Sequence, residues 1–404
     1  MTAITDPQGE GFRLSQLIYD TRYRSVTLQI FALILVLTAV GWLLNNAVIN
    51  LRDAGQDFSY GFLSNPASYD INQQLIEYNS RDSHARAAIV GLLNTLLVAF
   101  LACITATVIG VIAGVLRLSS NWLIARLMSV YVEAFRNVPV LIWILIIFSV
   151  MTLSLNNPAD FRGDDPKASM LFDAVAMTRR GVYIPRPIFE AGGMIVLLTF
   201  LASLVGIWYW RRRARTALYD RGEVVPVLWP SIVIFFVPTL VVFFALGQPI
   251  SLQIPELRGF NFQGGINLRG SLIALWFALA IYTGAFIAEN VRAGILAISK
   301  GQTEAAAALG LRPGRVMSLV VLPQALRVII PPLTSQYLNI TKNSSLAIAV
   351  GYMDITATLG GITLNQTGRA IESVLLLMAF YLAVSLSISA AMNVYNNAVK
   401  LKER

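Results

Sequence analysis

Eight stretches of this chain are apolar over lengths that can cross about 30 Å of hydrocarbon. They run at about residues 28–45, 89–116, 138–155, 192–210, 228–247, 271–291, 324–341 and 372–395. Of the 404 residues 56% are hydrophobic and 13% charged, too apolar a surface for one soluble core to hide. The expectation is an all-α integral membrane protein with about eight transmembrane helices. Gly and Pro interrupt several runs, which membrane helices tolerate where neighbours satisfy the freed backbone groups.

Orientation follows from Lys and Arg. With the N-terminus inside, the inner segments collect Arg13, Arg22, Arg24, Arg117, Arg126, the Arg211-Arg212-Arg213-Ala214-Arg215 cluster, the 292–327 loop and the Lys400 to Arg404 tail. That split puts 19 of the 31 Lys and Arg inside and 12 outside, the sense the positive-inside rule favours. Eight spans then leave both termini cytoplasmic. The formal charge of +9 thus reads as a topology signal and an attraction to anionic lipid, not as a nucleic-acid footprint. The Arg211 to Arg215 cluster is the main anchor of this kind, and Trp42, Trp122, Trp208, Trp210 and Trp229 fall at span ends as an aromatic belt requires. The first 27 residues do not resemble a cleaved signal, so 28–44 reads as a retained first span.

Some chemistry is excluded early. The single Cys103 lies in the second run, which precludes an internal disulfide, and the single His84 falls in an outer loop, so no His/Cys metal site is expected. The chain has no Gly-x-x-x-x-Gly-Lys-Ser/Thr loop to cradle nucleotide phosphates. Three polar outer loops, at 46–87, 156–190 and 248–270, separate the spans; the first suits a short amphipathic helix near 71–78 and reads either as a solvated connection or as a landing surface for a soluble delivery protein. Gly110-Val111-Ile112-Ala113-Gly114 would allow close helix approach, either inside the fold or at a dimer seam.

The most specific signal is a spacing. Glu304-Ala305-Ala306 is followed after three residues by Gly310, and after nine more by Val320, one residue, and Leu322-Pro323. A short Ala-rich helix with Gly310 for a sharp turn and Pro313 to start a second helix makes a compact knob that fits a groove on another protein. This spacing resembles the cytoplasmic Glu-Ala-Ala signature of ATP-binding-cassette (ABC) importer permeases. Gly91-Leu92-Leu93-Asn94-Thr95-Leu96, Arg117-Leu118-Ser119, the 131–139 stretch from Tyr131 to Pro139, and the 282–295 stretch from Tyr282 to Ile295 resemble the polar amino-acid subfamily of those permeases. The extra first span and the inserted pair of spans are most similar to its general L-amino-acid permease branch, of the AapQ and BztB type. Asn137-Val138 and Asn343-Ser344 depart from the wider subfamily.

The resemblance implies a type I ABC importer permease core and a division into four segments. Residues 1–87 hold the N-terminal segment, the first span and the first outer loop; 88–155 form the first block of the permease core; 156–270 carry the inserted loops and helix pair; and 271–404 form the second block of the core, with the coupling loop. The resemblance also implies that Glu304, Ala305, Ala306, Gly310, Leu311 and Pro313 couple to a separate ABC ATPase. ATP and Mg would be bound there, with no cofactor on this chain and no catalysis by it. Further implied partners are a second homologous permease, most simply as a heterodimer, a periplasmic amino-acid-binding protein, a small-molecule substrate and the bilayer of a bacterial inner membrane, with no nucleic acid.

Two other groups of residues are candidates. Lys342, Asn343, Ser344 and Ser345 interrupt the seventh run; a lysine facing lipid at mid-depth costs roughly 2.5–3.5 kcal/mol, so Lys342 must face protein, water or the interface. Either these groups line the substrate path, or Lys342 snorkels or pairs with Asp354 or Glu372. Glu133, Arg136, Glu289 and Arg292 sit at the inner ends of spans three and six and read as gate pairs or as static interfacial pairs. The alternative function is an ion-coupled secondary amino-acid transporter or channel. Against it stand the full Glu-Ala-Ala spacing and the scarcity of carboxylates within spans.

Overall fold

The computed structural model describes residues 21–53, 55, 58–163 and 166–399. Arg13 and the Lys400 to Arg404 tail, which count toward the orientation, lie outside them. The chain divides into two units, Met1–Asn65 and Pro66–Arg404. The first contains helix α1 (Thr21–Asp53), long enough at about 1.5 Å per residue to span a bilayer with some tilt.

The second unit is built around α2 (His84–Leu116) and α7 (Gly270–Leu296), its most extensive helix pair. Small residues let them meet. A Cβ on Gly110 would lie 2.5 Å from the Cβ of Ile287, and one on Gly114 2.7 Å from the Ala288 carbonyl oxygen. The Gly110–Gly114 pattern therefore packs inside the fold. Around this pair lie α3 (Trp122–Asn137), α4 (Val140–Ser154) and α10 (Leu322–Asn343), and α12 (Ala370–Val399) packs on α10. Ala102, Ala106, Ile144, Leu275, Leu279, Ile287 and Ile340 form the shared apolar core.

The expected third span is not a simple crossing. Pro139 forces Val138 into an extended conformation (φ −115°, ψ 134°), which ends α3 and starts α4 at a bend of 107°. Among the described residues seven helices are long and apolar enough to cross a membrane, and the bent α3–α4 pair makes an eighth crossing if it acts as one.

Helices α5 (Gly193–Arg221) and α6 (Leu228–Ala245), expected to be an insertion, pack on each other, with Phe200 edge-on to Phe235 and Gly206 giving room to Ile234. The loops flanking them are not structureless. They hold β1 (Ala176–Thr178), β2 (Gly181–Ile184), β3 (Arg186–Phe189), β4 (Ile250–Gln253), β5 (Glu256–Arg258), β6 (Asn261–Gln263) and β7 (Ile266–Arg269). These form antiparallel sheets β1-β2-β7, β3-β4 and β5-β6. The β2–β7 and β3–β4 pairings zip together the chain on either side of α5 and α6, so the α5–α6 hairpin leaves and rejoins the rest of this unit at neighbouring points. Tyr183 and Phe262 seal this layer, and the Tyr183 hydroxyl donates to Asn261 Oδ1 at 2.8 Å.

The amphipathic helix expected near 71–78 does not form. Ile71 and Tyr78 are both buried, but through separate turns that lay residues 66–83 over Ala87 and Val90 of α2, and the Tyr78 hydroxyl donates to the Tyr69 carbonyl at 2.8 Å. His84 is likewise not in a loop; it is the first residue of α2 and is buried.

Candidate functional site

Between α7 and α10 the chain makes α8 (Lys300–Ala308) and a short α9 (Pro313–Val316). Ala-rich sequence favours the first helix, and Gly310 stops it. At φ +78°, Gly310 donates its N–H to the Ala307 carbonyl at 2.9 Å while Leu311 N donates to the Ala306 carbonyl at 3.3 Å, a glycine-dependent helix end. Pro313 then opens α9 at its first position, where a missing N–H costs nothing. Ala306, Val316 and Val321 form a small core backed by Ile295, Ile298 and Leu311. The Gln324 side-chain amide donates to Gln302 Oε1 at 2.9 Å and ties α8 to the base of α10.

Of the residues expected to couple, Ala306 and Leu311 thus hold the hairpin together, whereas Glu304, Ala305, Gly310 and Pro313 face outward. Leu309, not anticipated, is 83% exposed at the tip. The tip of this two-helix hairpin thus presents small residues and one bare leucine.

A second cluster joins α2, α3 and α7. Glu289 Oε2 lies 2.5 Å from Arg117 Nη1 and 3.4 Å from Arg136 Nη1, and Glu289 Oε1 lies 3.4 Å from Arg292 Nη1. Arg136 also sits over the Phe286 ring at 5.3 Å. Three of the four expected residues therefore meet on one carboxylate, and Glu133 does not. Val132 is the buried position of α3, and Arg136, one turn on, shares its face, whereas Glu133 is rotated away and exposed. Arg117 takes its place and is the most enclosed member, with a side chain only 10% exposed. Its position at the end of α2 was visible in the sequence; its partner on α7, 172 residues away, was not.

The third region is the polar end of α10. Ser344 Oγ donates to the Thr341 carbonyl and Ser345 Oγ to the Lys342 carbonyl, both at 2.7 Å, so the two hydroxyls finish the helix instead of pointing at a ligand. Asn343 is half-buried. Lys342 is exposed and makes no ion pair among the described residues. The pairings suggested for it are absent: Glu372 binds Arg369 at 3.3 Å, and Asp354 accepts from Ala357 N at 2.9 Å and the Tyr381 hydroxyl at 3.3 Å.

The chain after α10 continues as a 3₁₀ turn (Ser344–Val350), then a π-helical stretch (Thr356–Thr363), before α11 (Leu364–Thr367) and α12. Irregular backbone leaves N–H and C=O groups that need outside partners, and α2 supplies some of them. Asn94 Nδ2 donates to the carbonyls of Gln73 (2.8 Å) and Met353 (2.9 Å), Thr95 Oγ1 accepts from Ile355 N (3.1 Å), and the Tyr352 hydroxyl donates to the Asn94 carbonyl (3.1 Å). Gly91 makes the approach possible, since a Cβ there would fall 2.2 Å from Thr358 Oγ1. The His84 ring and the Tyr69 hydroxyl meet on Thr363 Oγ1, at 3.0 and 3.2 Å. Asp354, between the last two spans, is fully buried, and burial raises its carboxyl to about 6 against the opposing pull of its hydrogen bonds. Among the described residues no group of three or more His, Cys, Asp or Glu is placed to hold a metal.

A family model described as the binding-protein-dependent transport system inner membrane component matches residues 199–401. The chain is 54% identical, over all of both sequences, to the glutamate/glutamine/aspartate/asparagine transport system permease protein BztB of Rhodobacter capsulatus. It is 42% identical to the general L-amino acid transport system permease protein AapQ of Rhizobium johnstonii, over 99% of this chain and 98% of that one. It is 43% identical to the putative amino-acid ABC transporter permease protein YhdX of Escherichia coli, over 94% and 95% respectively.

Proposed function

The chain belongs to the family of binding-protein-dependent transport system inner membrane components, and from that membership we propose how its components work. It is the permease subunit of an ATP-driven importer for L-amino acids, and it performs no covalent chemistry. Glutamate, glutamine, aspartate and asparagine, named for the Rhodobacter relative, are the first substrates to test. The observation that carries the coupling role is the α8–α9 lever, internally braced, with Glu304, Ala305 and Leu309 presented outward.

In this reading the lever seats in a separate ATPase, which holds ATP and Mg. A second, homologous permease completes the path as a heterodimer, and a periplasmic binding protein delivers substrate. Both termini and the lever lie on the cytoplasmic side of the inner membrane, in keeping with the distribution of Lys and Arg. ATP binding draws two levers together and turns the path outward; the equilibrium moves only by as much as the two states differ in their contacts at that seat. The Arg117–Glu289–Arg136–Arg292 cluster ties α2, α3 and α7 near their inner ends and holds that end of the path closed in one state. Lys342 and Asn343 face the substrate route at the outer end of α10, with Ser344 and Ser345 shaping the turn behind them.

The test is mass-spectrometric identification of what copurifies with the tagged chain in mild detergent. An ATPase and a second permease in stoichiometric amounts are expected. A stable, monodisperse chain with neither would overturn the reading.

A further inference from the structure

We propose that the inserted hairpin carries a phospholipid site: a groove at the inner end of α5 that holds the phosphate of one anionic lipid between Arg211 and Arg215. The proposal rests on the membrane-spanning reading of the hairpin and is independent of what the protein transports. At about 1.5 Å per residue the 29 residues of α5 extend roughly 43 Å, the thickness of a bilayer with its headgroups. Its uncharged stretch ends at Trp210, so Arg211 and the residues after it fall in the headgroup layer.

A stripe of arginines would serve as a topology anchor without any further structure. Here the chain builds a recess around it. Gly222, at φ +70°, turns the backbone so that residues 222–227 run back along α5. Two hydrogen bonds fix that return: Glu223 N to the Ala217 carbonyl and Trp210 Nε1 to the Pro226 carbonyl, both 3.2 Å. The result is a groove of about 430 Å³ lined by Arg211, Arg215 and Leu218 on one side and by Val224, Val225 and Val227 on the other.

Two observations name the occupant. Arg211, Arg212, Arg213, Arg215 and Arg221 make no ion pair among the described residues, and like charges one turn apart on a helix repel, so the groove presents positive charge that no carboxylate among the described residues neutralises. Its opposite wall is aliphatic, and Val224 is 87% exposed, which a small hydrated anion would not cover. A phosphodiester with an acylglycerol end satisfies both, the phosphate in the arginine forks and the glycerol and first methylenes against the valines. Arg212 does not line the groove; its guanidinium lies over the Trp208 ring at 5.5 Å.

The test uses the purified full-length chain with the partners that copurify, equilibrated with mixed phosphatidylcholine and phosphatidylglycerol, and native mass spectrometry to count retained lipid. The informative variant is Arg211→Lys/Arg215→Lys, which leaves the positive-inside charge unchanged and removes only the planar fork. Retention of one phosphatidylglycerol per wild-type chain is expected, reduced about tenfold by the double-lysine variant as charge-assisted hydrogen bonds are lost. Leu218→Gln should reduce it as well, through the apolar wall. Equal retention by wild type and the double-lysine variant would overturn the proposal and leave a charge anchor alone. So would equal retention of phosphatidylcholine, or full displacement by glycerol phosphate at the concentration of the lipid, which would mark a soluble-anion site. A copurified ATPase or its absence bears on the transport reading and leaves this result intact.

Discussion

Replacing Gly91 by alanine tests whether the irregular 351–363 segment is docked on α2 through the contacts above. An added Cβ would lie 2.2 Å from Thr358 Oγ1, 2.9 Å from the Asp354 carbonyl oxygen and 3.0 Å from Ile355 Cα. The hydroxyl could rotate aside, but Thr358 Oγ1 donates to the Asp354 carbonyl at 2.9 Å, so moving it costs a buried hydrogen bond. The other two contacts are backbone and cannot rotate. Relief needs the segment to move off α2, which stretches the Asn94–Met353 and Ile355–Thr95 bonds. Overpacking of this kind costs about 1–3 kcal/mol, and lengthening two buried hydrogen bonds adds about 1 kcal/mol each. The expected total for Gly91→Ala is therefore about 3–5 kcal/mol. Thr358→Ala should recover only a fraction of it, because the backbone contacts remain. The assay is equilibrium unfolding of the purified protein in mixed micelles across the four-member mutant cycle. A Gly91→Ala protein as stable as wild type, or full rescue by Thr358→Ala, would refute this packing.

Three further outcomes follow from the same geometry. Gly310→Asp should leave the protein in the membrane but abolish ATP-dependent uptake, while Gly310→Asn, neutral and tolerant of the same positive φ, should retain more; an active aspartate variant with bound ATPase would contradict the seat. Glu289→Gln should destabilise by about 1–3 kcal/mol, mostly through the enclosed Arg117, as read by unfolding in micelles; no loss would mean the cluster is merely superficial. The carboxyl of Asp354 is raised in the fold from 3.8 to about 6, so the fold favours its neutral form. Stability from this group is complete below about pH 4 and is lost as pH rises through 6; Asp354→Asn should flatten stability over that window, and an unchanged slope would assign it elsewhere.

What could be read from the sequence was what is local. Apolar runs mark the membrane helices because lipid demands continuous hydrophobicity. The Gly310 turn and the Pro313 start are legible because each depends on the backbone of a single residue. Contacts between distant segments were not legible. Strands of three or four residues carry too little alternation to be seen, and β2 exists because β7, more than 80 residues later, pairs with it. Glu133 groups with Arg136, Glu289 and Arg292 by its place near the inner end of a span, but the face of α3 that meets α7 is set by the buried Val132. Asn94 and Thr95 were visible as members of a motif, yet their task depends on the missing backbone pairing of a segment some 260 residues on. The bend at Pro139 was open to reading, since proline restrains the residue before it, but the apolar run begins at about 138, so the helix that precedes it went unseen.

If the chain moves amino acids on energy delivered through its α8–α9 hairpin, ATP and not an ion gradient must drive uptake. The most direct measurement is uptake of labelled glutamate into proteoliposomes containing the chain with its copurified subunits and binding protein, with ATP and ion gradients controlled separately. Uptake is expected to persist when ionophores collapse every gradient and to stop when ATP is withdrawn. Uptake by this chain without an ATPase, driven by a proton or sodium gradient, would contradict it.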